Sequence, residues 1–275
     1  MALIERVVIQ PSRGWAALEL RALWEYRELL YFLVWRDLKV RYKQTALGVA
    51  WVVLQPIVAT VIFTVIFGTL ARISSGSLPY PVFAFAGLLP WNYFAGVITR
   101  SGTSLVTNAQ LITKVYFPRI LIPLSGAVTG LIDMFISLLV MLVLMVAMGV
   151  MPAATILALP LFLLLSIVTA LGVSLWLAAL NVQYRDINYL LPFLVQVWMY
   201  ATPVVYPSNL IPERFRAFFG VNPMVGAVEG FRWALTGQGD VSWTMVIVST
   251  GVALGILVTG AIFFRQTERT FADIV

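Results

Sequence analysis

The charged residues of this chain are few and grouped, so their spacing carries most of its chemistry. Arg36, Lys39, Arg41 and Lys43 fall within eight residues. Basic groups so clustered can receive an anionic headgroup or simply anchor a membrane span. Arg185 and Asp186 stand together in "NVQYRDINYL" (Asn181–Leu190), between the apolar runs Thr155–Leu180 and Leu191–Tyr206. Glu229 and Arg232 are three apart, close enough to pair on one helix face. Asp133 is the lone acid deep in a long apolar run, a position that suits a functional acid or a bond to a neighbouring helix. Just as informative is what is missing. With no histidine and no cysteine, the chain has no disulfide, no Cys or His metal site and no Ser-His-Asp or Cys-His dyad. The lysines are Lys39, Lys43 and Lys114 alone, and no Gly-rich loop ends in Gly-Lys-Ser/Thr, so this chain does not hydrolyse ATP by that route. The expectation is a non-enzyme with no metal and no cofactor of its own.

These groups must be positioned by elements of a membrane protein. Hydrophobic residues make up 61% of the 275 residues and charged ones 11%, against about 25% charged in soluble domains. A helix needs about 20 mostly apolar residues to cross the hydrocarbon core. Six segments meet or approach that length: Ala46–Leu70, Tyr80–Thr99, Ile120–Met148, Thr155–Leu180, Leu190–Tyr206 and Val241–Phe264. The fifth is short and holds Pro192 and Pro203, which predicts a kinked or broken helix. The N-terminus has no apolar core followed by a small-residue cleavage site and does not read as a cleavable signal peptide. No linker or low-complexity tract divides the chain. The expected fold is all-α, a single transmembrane domain over residues 1–275. It comprises a cytoplasmic or interfacial segment 1–45, a six-span bundle 46–264 and a cytoplasmic tail 265–275.

Six spans put both termini on one side. That side receives every lysine and arginine except Arg72, Arg214, Arg216 and Arg232. The excess marks it as cytoplasmic, and "NVQYRDINYL" lies there too. The net charge of +6 is explained by insertion bias and anionic membrane lipid, without nucleic acid.

The connecting pieces then acquire roles. The segment "LRALWEYRELLYFLVWRDLKVRYK" reads as an interfacial amphipathic helix with its basic groups toward the headgroups. In "RSGTSLVTNAQLITKVYFPR" the serine and threonine hydroxyls offer helix N-caps, which predicts a short cytoplasmic helix over about Thr103–Thr113, with Pro118 in the first turn of the next span. This piece and the Asn181–Leu190 turn are two cytoplasmic knobs, either solvated turns or plugs for a soluble partner. On the opposite side, Pro212 opens a short helix that Gly220 stops. Asn222 is an N-cap, Pro223 the first residue of a second helix and Gly237 its C-terminal stop. At about 13 residues that helix cannot span. With Glu229 and Arg232 on it, the pair of helices is an amphipathic loop or a gate over an exit. Trp91, Tyr93, Trp198 and Tyr200 fall at mid-depth, where an interfacial belt does not account for aromatics. They pack helices together or line a passage.

Five stretches occur in an order that resembles a known family: "WRDLKVRYKQTALGVAWVVLQP" (Trp35–Pro56), "KVYFPRILIPLS" (Lys114–Ser125), "QYRDINYLLPF" (Gln183–Phe193), "ATPVVYP" (Ala201–Pro207) and "NPM" (Asn222–Met224). Together they resemble the membrane-spanning permease of bacterial ABC exporters for lipid-linked polysaccharides, of the O-antigen, capsule and teichoic acid type. The resemblance runs from about Tyr26 to the C-terminus. It implies a homodimeric pore in the bacterial inner (plasma) membrane, resting on two copies of a separate ATP-binding subunit that carries ATP and Mg. It further implies that Gln183, Tyr184, Arg185, Asp186 and Ile187 form the segment coupled to that ATPase, and that the mid-depth aromatics line the channel. The implied cargo is a glycan on undecaprenyl diphosphate, whose phosphates suit Arg36, Lys39, Arg41 and Lys43. The runner-up within ABC exporters is a permease for drugs or small lipids. An intramembrane enzyme would need clustered acids or metal ligands, and a secondary carrier would need inverted repeats and several buried ionisable groups. The sequence shows neither.

Overall fold

The computed structural model of the chain describes residues 20–43, 48–210, 212–239, 241–268 and 271. Among these the protein is helical, with no β-strand. The helices are α1 (Leu20–Glu25), α2 (Arg27–Lys43), α3 (Gly48–Phe63), α4 (Tyr80–Thr107), α5 (Ala109–Lys114), α6 (Leu121–Ala147), α7 (Leu159–Gln183), α8 (Ile187–Ala201), α9 (Glu213–Phe219), α10 (Pro223–Thr236) and α11 (Trp243–Glu268). A wider π-type coil carries α3 on to Leu70, and a 3-10 turn over Ala154–Ala158 leads into α7.

Among the described residues five helices are long and apolar enough to cross a membrane: Ala50–Leu70, Tyr80–Thr107, Leu121–Ala147, Ala154–Gln183 and Trp243–Glu268. The fifth expected span differs, because its helix is only Ile187–Ala201 and gives way to extended chain at Thr202. Pro203 accounts for that stop, since the residue before a proline is pushed out of the helical region. Near its start, Leu191 lies against α4, with its Cδ1 3.1 Å from where a Cβ on Gly102 would sit. Beyond its end, the Val205 carbonyl accepts from Tyr80 Oη (2.6 Å). Helix and extended tail together therefore run alongside α4 from Gly102 back to Tyr80.

The second span also differs from expectation. It continues past Thr99 to Thr107, and the helix expected over Thr103–Thr113 is the end of α4 plus the short α5. The hydroxyls read as caps instead bond back within the helix: Thr99 to Ala95 O (2.8 Å), Ser104 to Ser101 O (2.7 Å) and Thr107 to Thr103 O (3.0 Å). Such bonds let Ser and Thr sit inside a helix. Asn108 breaks it, with its side-chain amide donating to Ser104 O (2.8 Å). Pro118 precedes α6 rather than opening it; its carbonyl accepts from Leu121 N (3.1 Å). The tail expected from residue 265 continues α11 to Glu268, whose carboxylate accepts from the Arg119 backbone N–H (2.9 Å).

α4 is the centre of the bundle. It packs along α6 and α7, and α7 packs along α11. Of the most apolar window in α4, 78% is buried, against 17% for the first span, so α3 is the outward-facing element. The α7–α11 contact depends on small residues. A Cβ on Gly260 would lie 2.6 Å from the Gly172 carbonyl, and one on Gly172 would lie 2.7 Å from Leu257 N. Such close backbone approach is how helices associate where lipid supplies no hydrophobic drive.

Candidate functional site

The most polar interior region lies between α2, α3, α4 and α6. The Asp133 carboxylate on α6 accepts from the Arg41 guanidinium and from Tyr42 Oη (2.6 Å), both on α2. Arg100 on α4 brings Nη1 within 3.7 Å of the same carboxylate. Its guanidinium occupies a slot between two glycines: a Cβ on Gly96 would sit 2.9 Å from Nη1, and one on Gly130 2.8 Å from Nη2. The Arg100 Nε is buried with no hydrogen-bond partner. Burial first, and then the bond to Asp133, pushes the Tyr42 phenol up to about 12, so it stays a neutral donor at physiological pH. Arg41, Arg100 and Asp133 line a cavity of about 330 Å³ that Gln55, Asn92, Thr99 and Ser137 also border. Among the described residues that line it, two guanidiniums face one carboxylate, one positive charge more. A cavity of that sign and polarity suits a phosphate oxyanion.

Of the basic residues expected to meet a headgroup, Arg41 enters this cavity. Arg36 instead pairs with its neighbour Asp37 (2.8 Å), and Lys39 Nζ lies 4.4 Å from the Trp35 ring centroid. Lys43 is exposed at the end of α2. Arg100 was not legible as a site residue, because it reads as the first residue of a cytoplasmic loop. Only the extended α4 brings it to Asp133.

The turn between α7 and α8 presents Gln183, Tyr184, Arg185 and Asp186 as exposed side chains, while Ile187 is half-buried at the start of α8. Asn181 fixes its base: Nδ2 bridges Gly102 O and Asn188 Oδ1 (3.1 Å). A charged tip on a buried, hydrogen-bonded base can transmit a push into two helices at once.

Opposite that turn, Asn222 caps α10, its side chain accepting from Met224 N (3.1 Å), with Pro223 first in the helix and Gly237 left-handed at its end (φ 66°). Pro212 is exposed just before α9. α10 is not laid on a surface. It packs against α4, α7 and α11, and nearly all its residues are buried. The oddly apolar composition of this stretch is thereby explained. Arg232, 4% exposed, is paired with Glu229 (2.9 Å) and donates to the carbonyls of Phe83 (3.3 Å) and Val204. Its guanidinium also lies 3.8 Å from the Phe83 ring centroid. One side chain thus ties α10 to the start of α4 and to the extended tail of α8. Burial lowers its pKa, with Glu229 opposing that shift.

The four mid-depth aromatics separate. Trp91 and Tyr93 are 2% and 4% exposed inside the bundle, whereas Tyr200 is 56% exposed. Trp198 is between, its indole N–H donating to Asn222 Oδ1 (2.9 Å). Trp91, Phe94 and Trp198 form a row, with ring centroids 5.5 and 5.0 Å apart, that leads from the core to the cap of α10.

Comparison with known proteins matches residues 28–236 to the sequence model of the ABC-2 type transporter family. A relative from Myxococcus xanthus, the O-antigen export system permease protein RfbA, is 34% identical over 255 residues, covering 92% of this chain and 97% of its own. A protein of the same name from Klebsiella pneumoniae is 31% identical over 250 residues, 90% of this chain and 95% of its own. The polysialic acid transport protein KpsM of Escherichia coli is 25% identical over 201 residues, 73% and 78% of the two chains.

Proposed function

The chain belongs to the ABC-2 type transporter family, and from that premise we propose that it is the membrane-spanning permease of an ATP-driven exporter of lipid-linked, O-antigen-like polysaccharide. It is a multi-pass membrane protein, and membership of the family implies an ATP-binding partner subunit that carries ATP and Mg. The observation that carries the substrate reading is the cavity at Arg41, Arg100 and Asp133. It offers surplus positive charge beside α3, whose face is apolar and exposed at Ile57, Val58 and Val61. A diphosphate on a long apolar chain is matched by that pairing of a cationic cavity with an apolar flank, and undecaprenyl diphosphate has that form. The cavity draws on one member of the basic cluster before the first span; Arg36, Lys39 and Lys43 guide the approaching headgroup from the rim.

In this reading the protein sits in the bacterial inner membrane with both termini cytoplasmic. The sixth crossing is α8 with its extended tail. Two copies enclose the glycan path, to which Tyr200 contributes an exposed ring. α9 and α10 gate the outer end, with Arg232 and Glu229 latching α10 to α4. The exposed turn Gln183–Asp186 and Ile187 receives the stroke of the ATPase and passes it to α7 and α8.

The test is coupling. In the complex with its ATP-binding subunit, reversing both charges (Arg185→Asp with Asp186→Arg) is expected to leave assembly unchanged and to lower glycan-stimulated ATP turnover at least about fivefold, the range of a typical coupling energy. Normal stimulation and normal glycan export by that variant would reduce the turn to a solvated loop.

A further inference from the structure

A second cavity, of about 280 Å³, lies at the other end of the bundle, between the C-terminal end of α10, the loop before α4 and the segment after α8. Its chemistry differs from that of the basic cavity. Among the described residues its acid and base are Glu229 and Arg232, and they are paired to each other (2.9 Å). The rest of the polar lining is amide and hydroxyl, from Asn209, Gln238, Ser77 and Ser242. Trp233 supplies an indole wall, and that wall is fixed, because its ring packs edge-to-face on Phe162 and Trp243 at centroid distances of 6.3 and 5.7 Å. Ser77 Oγ donates to Gln238 Oε1, closing the loop before α4 onto the end of α10.

We infer that this cavity is a binding site for one or two neutral sugar units of a glycan, held on the face opposite the charged α7–α8 turn. An aromatic wall accepts the apolar C–H face of a pyranose, while amides, hydroxyls and the free oxygen of Glu229 bond its hydroxyls. A phosphate would meet the Glu229 carboxylate, and an acyl chain would leave the amides unsatisfied. The volume is close to the lower end of the range for small-molecule pockets, roughly 300–1,000 Å³, which suits a short saccharide segment. The site rests on the export reading and adds to it a place where emerging polymer is held beside α10.

The experiment uses the purified complex with its ATP-binding subunit and a panel of neutral di- and trisaccharides of mannose, galactose, rhamnose and N-acetylglucosamine, read by saturation-transfer NMR. At least one is expected to bind, without displacement by inorganic pyrophosphate. The double variant Asn209→Ala, Gln238→Ala, whose two side chains are exposed, is expected to weaken that binding about tenfold or more, as loss of two hydrogen bonds allows. Glu229→Gln keeps the shape and is expected to weaken it less. No binding across the panel, or binding indifferent to both variants, overturns the site. Glycan export by cells carrying the wild-type chain reads the broader proposal separately. Export without pocket-dependent saccharide binding removes this site alone, whereas loss of both removes the export reading.

Discussion

Asp133→Asn is expected to loosen α2 from the bundle, and an added phosphate anion is expected to reverse the change. The carboxylate holds Arg41 and Tyr42 of α2 and lies 3.7 Å from Arg100 of α4. Its removal takes away the carboxylate that both guanidiniums face. Breaking a fully buried ion pair from one side costs about 3–5 kcal/mol. The Arg41 side chain, however, is 38% exposed against 17% for Asp133, so solvent screens the loss and about 1–2 kcal/mol remains. Amide exchange over Arg27–Lys43 is therefore expected to speed up by about tenfold if those amides exchange through local release of α2, and the unfolding temperature in detergent to fall. Millimolar inorganic pyrophosphate is expected to reverse both, because it supplies the charge that the carboxylate gave. Loosening without rescue would make the cluster a structural ion pair and remove the headgroup site. Exchange rates equal to wild type would show that Asp133 does not hold α2.

Gly230→Ala is expected to unseat α10. A Cβ at this position would lie 1.9 Å from Cδ1 of Phe162, a fully buried ring that cannot swing away without disturbing Trp233. Overpacking of this kind costs about 1–3 kcal/mol, and each 1.4 kcal/mol is about a factor of ten in the seated population. Export is the sensitive measurement if α10 is a gate, and a drop of about tenfold or more is expected, with lowered thermal stability. Phe162→Leu in the same chain removes ring atoms from the clash and is expected to restore much of both. Partners in direct contact couple in this non-additive way. A single variant that is stable and exports normally would mean that α10 does not need its present seat. A single variant that loses stability while exporting normally would separate α10 from gating.

Much of this protein was written locally. The cap at Asn222, Pro223 in the first turn and the left-handed stop at Gly237 follow from backbone chemistry within a few residues, and the structure has all three. The Glu229–Arg232 pair follows from helical spacing. Five long apolar runs follow from composition and length, and the ordered motifs were enough to point to the family. Errors arose where a local sign had two outlets. The Ser and Thr hydroxyls after Thr99 read as caps, yet they bonded back to their own helix and extended α4 to Thr107.

Tertiary structure alone decided which faces meet. In a soluble helix the core face is apolar and the other polar, so periodicity gives its orientation. Here the face toward lipid and the face toward the bundle are both apolar, and that signal vanishes. Hence Trp91 and Tyr200, alike in sequence setting, end buried and exposed. Arg41 meets Asp133 across 92 positions, and Arg100 joins them through a slot between two glycines on different helices. Such partnerships depend on how helices seat against one another, which small residues permit without naming the partner. The sequence determined the elements, the charged turn and the family; the seating of α2, α4 and α6 made three scattered ionisable residues into one cavity.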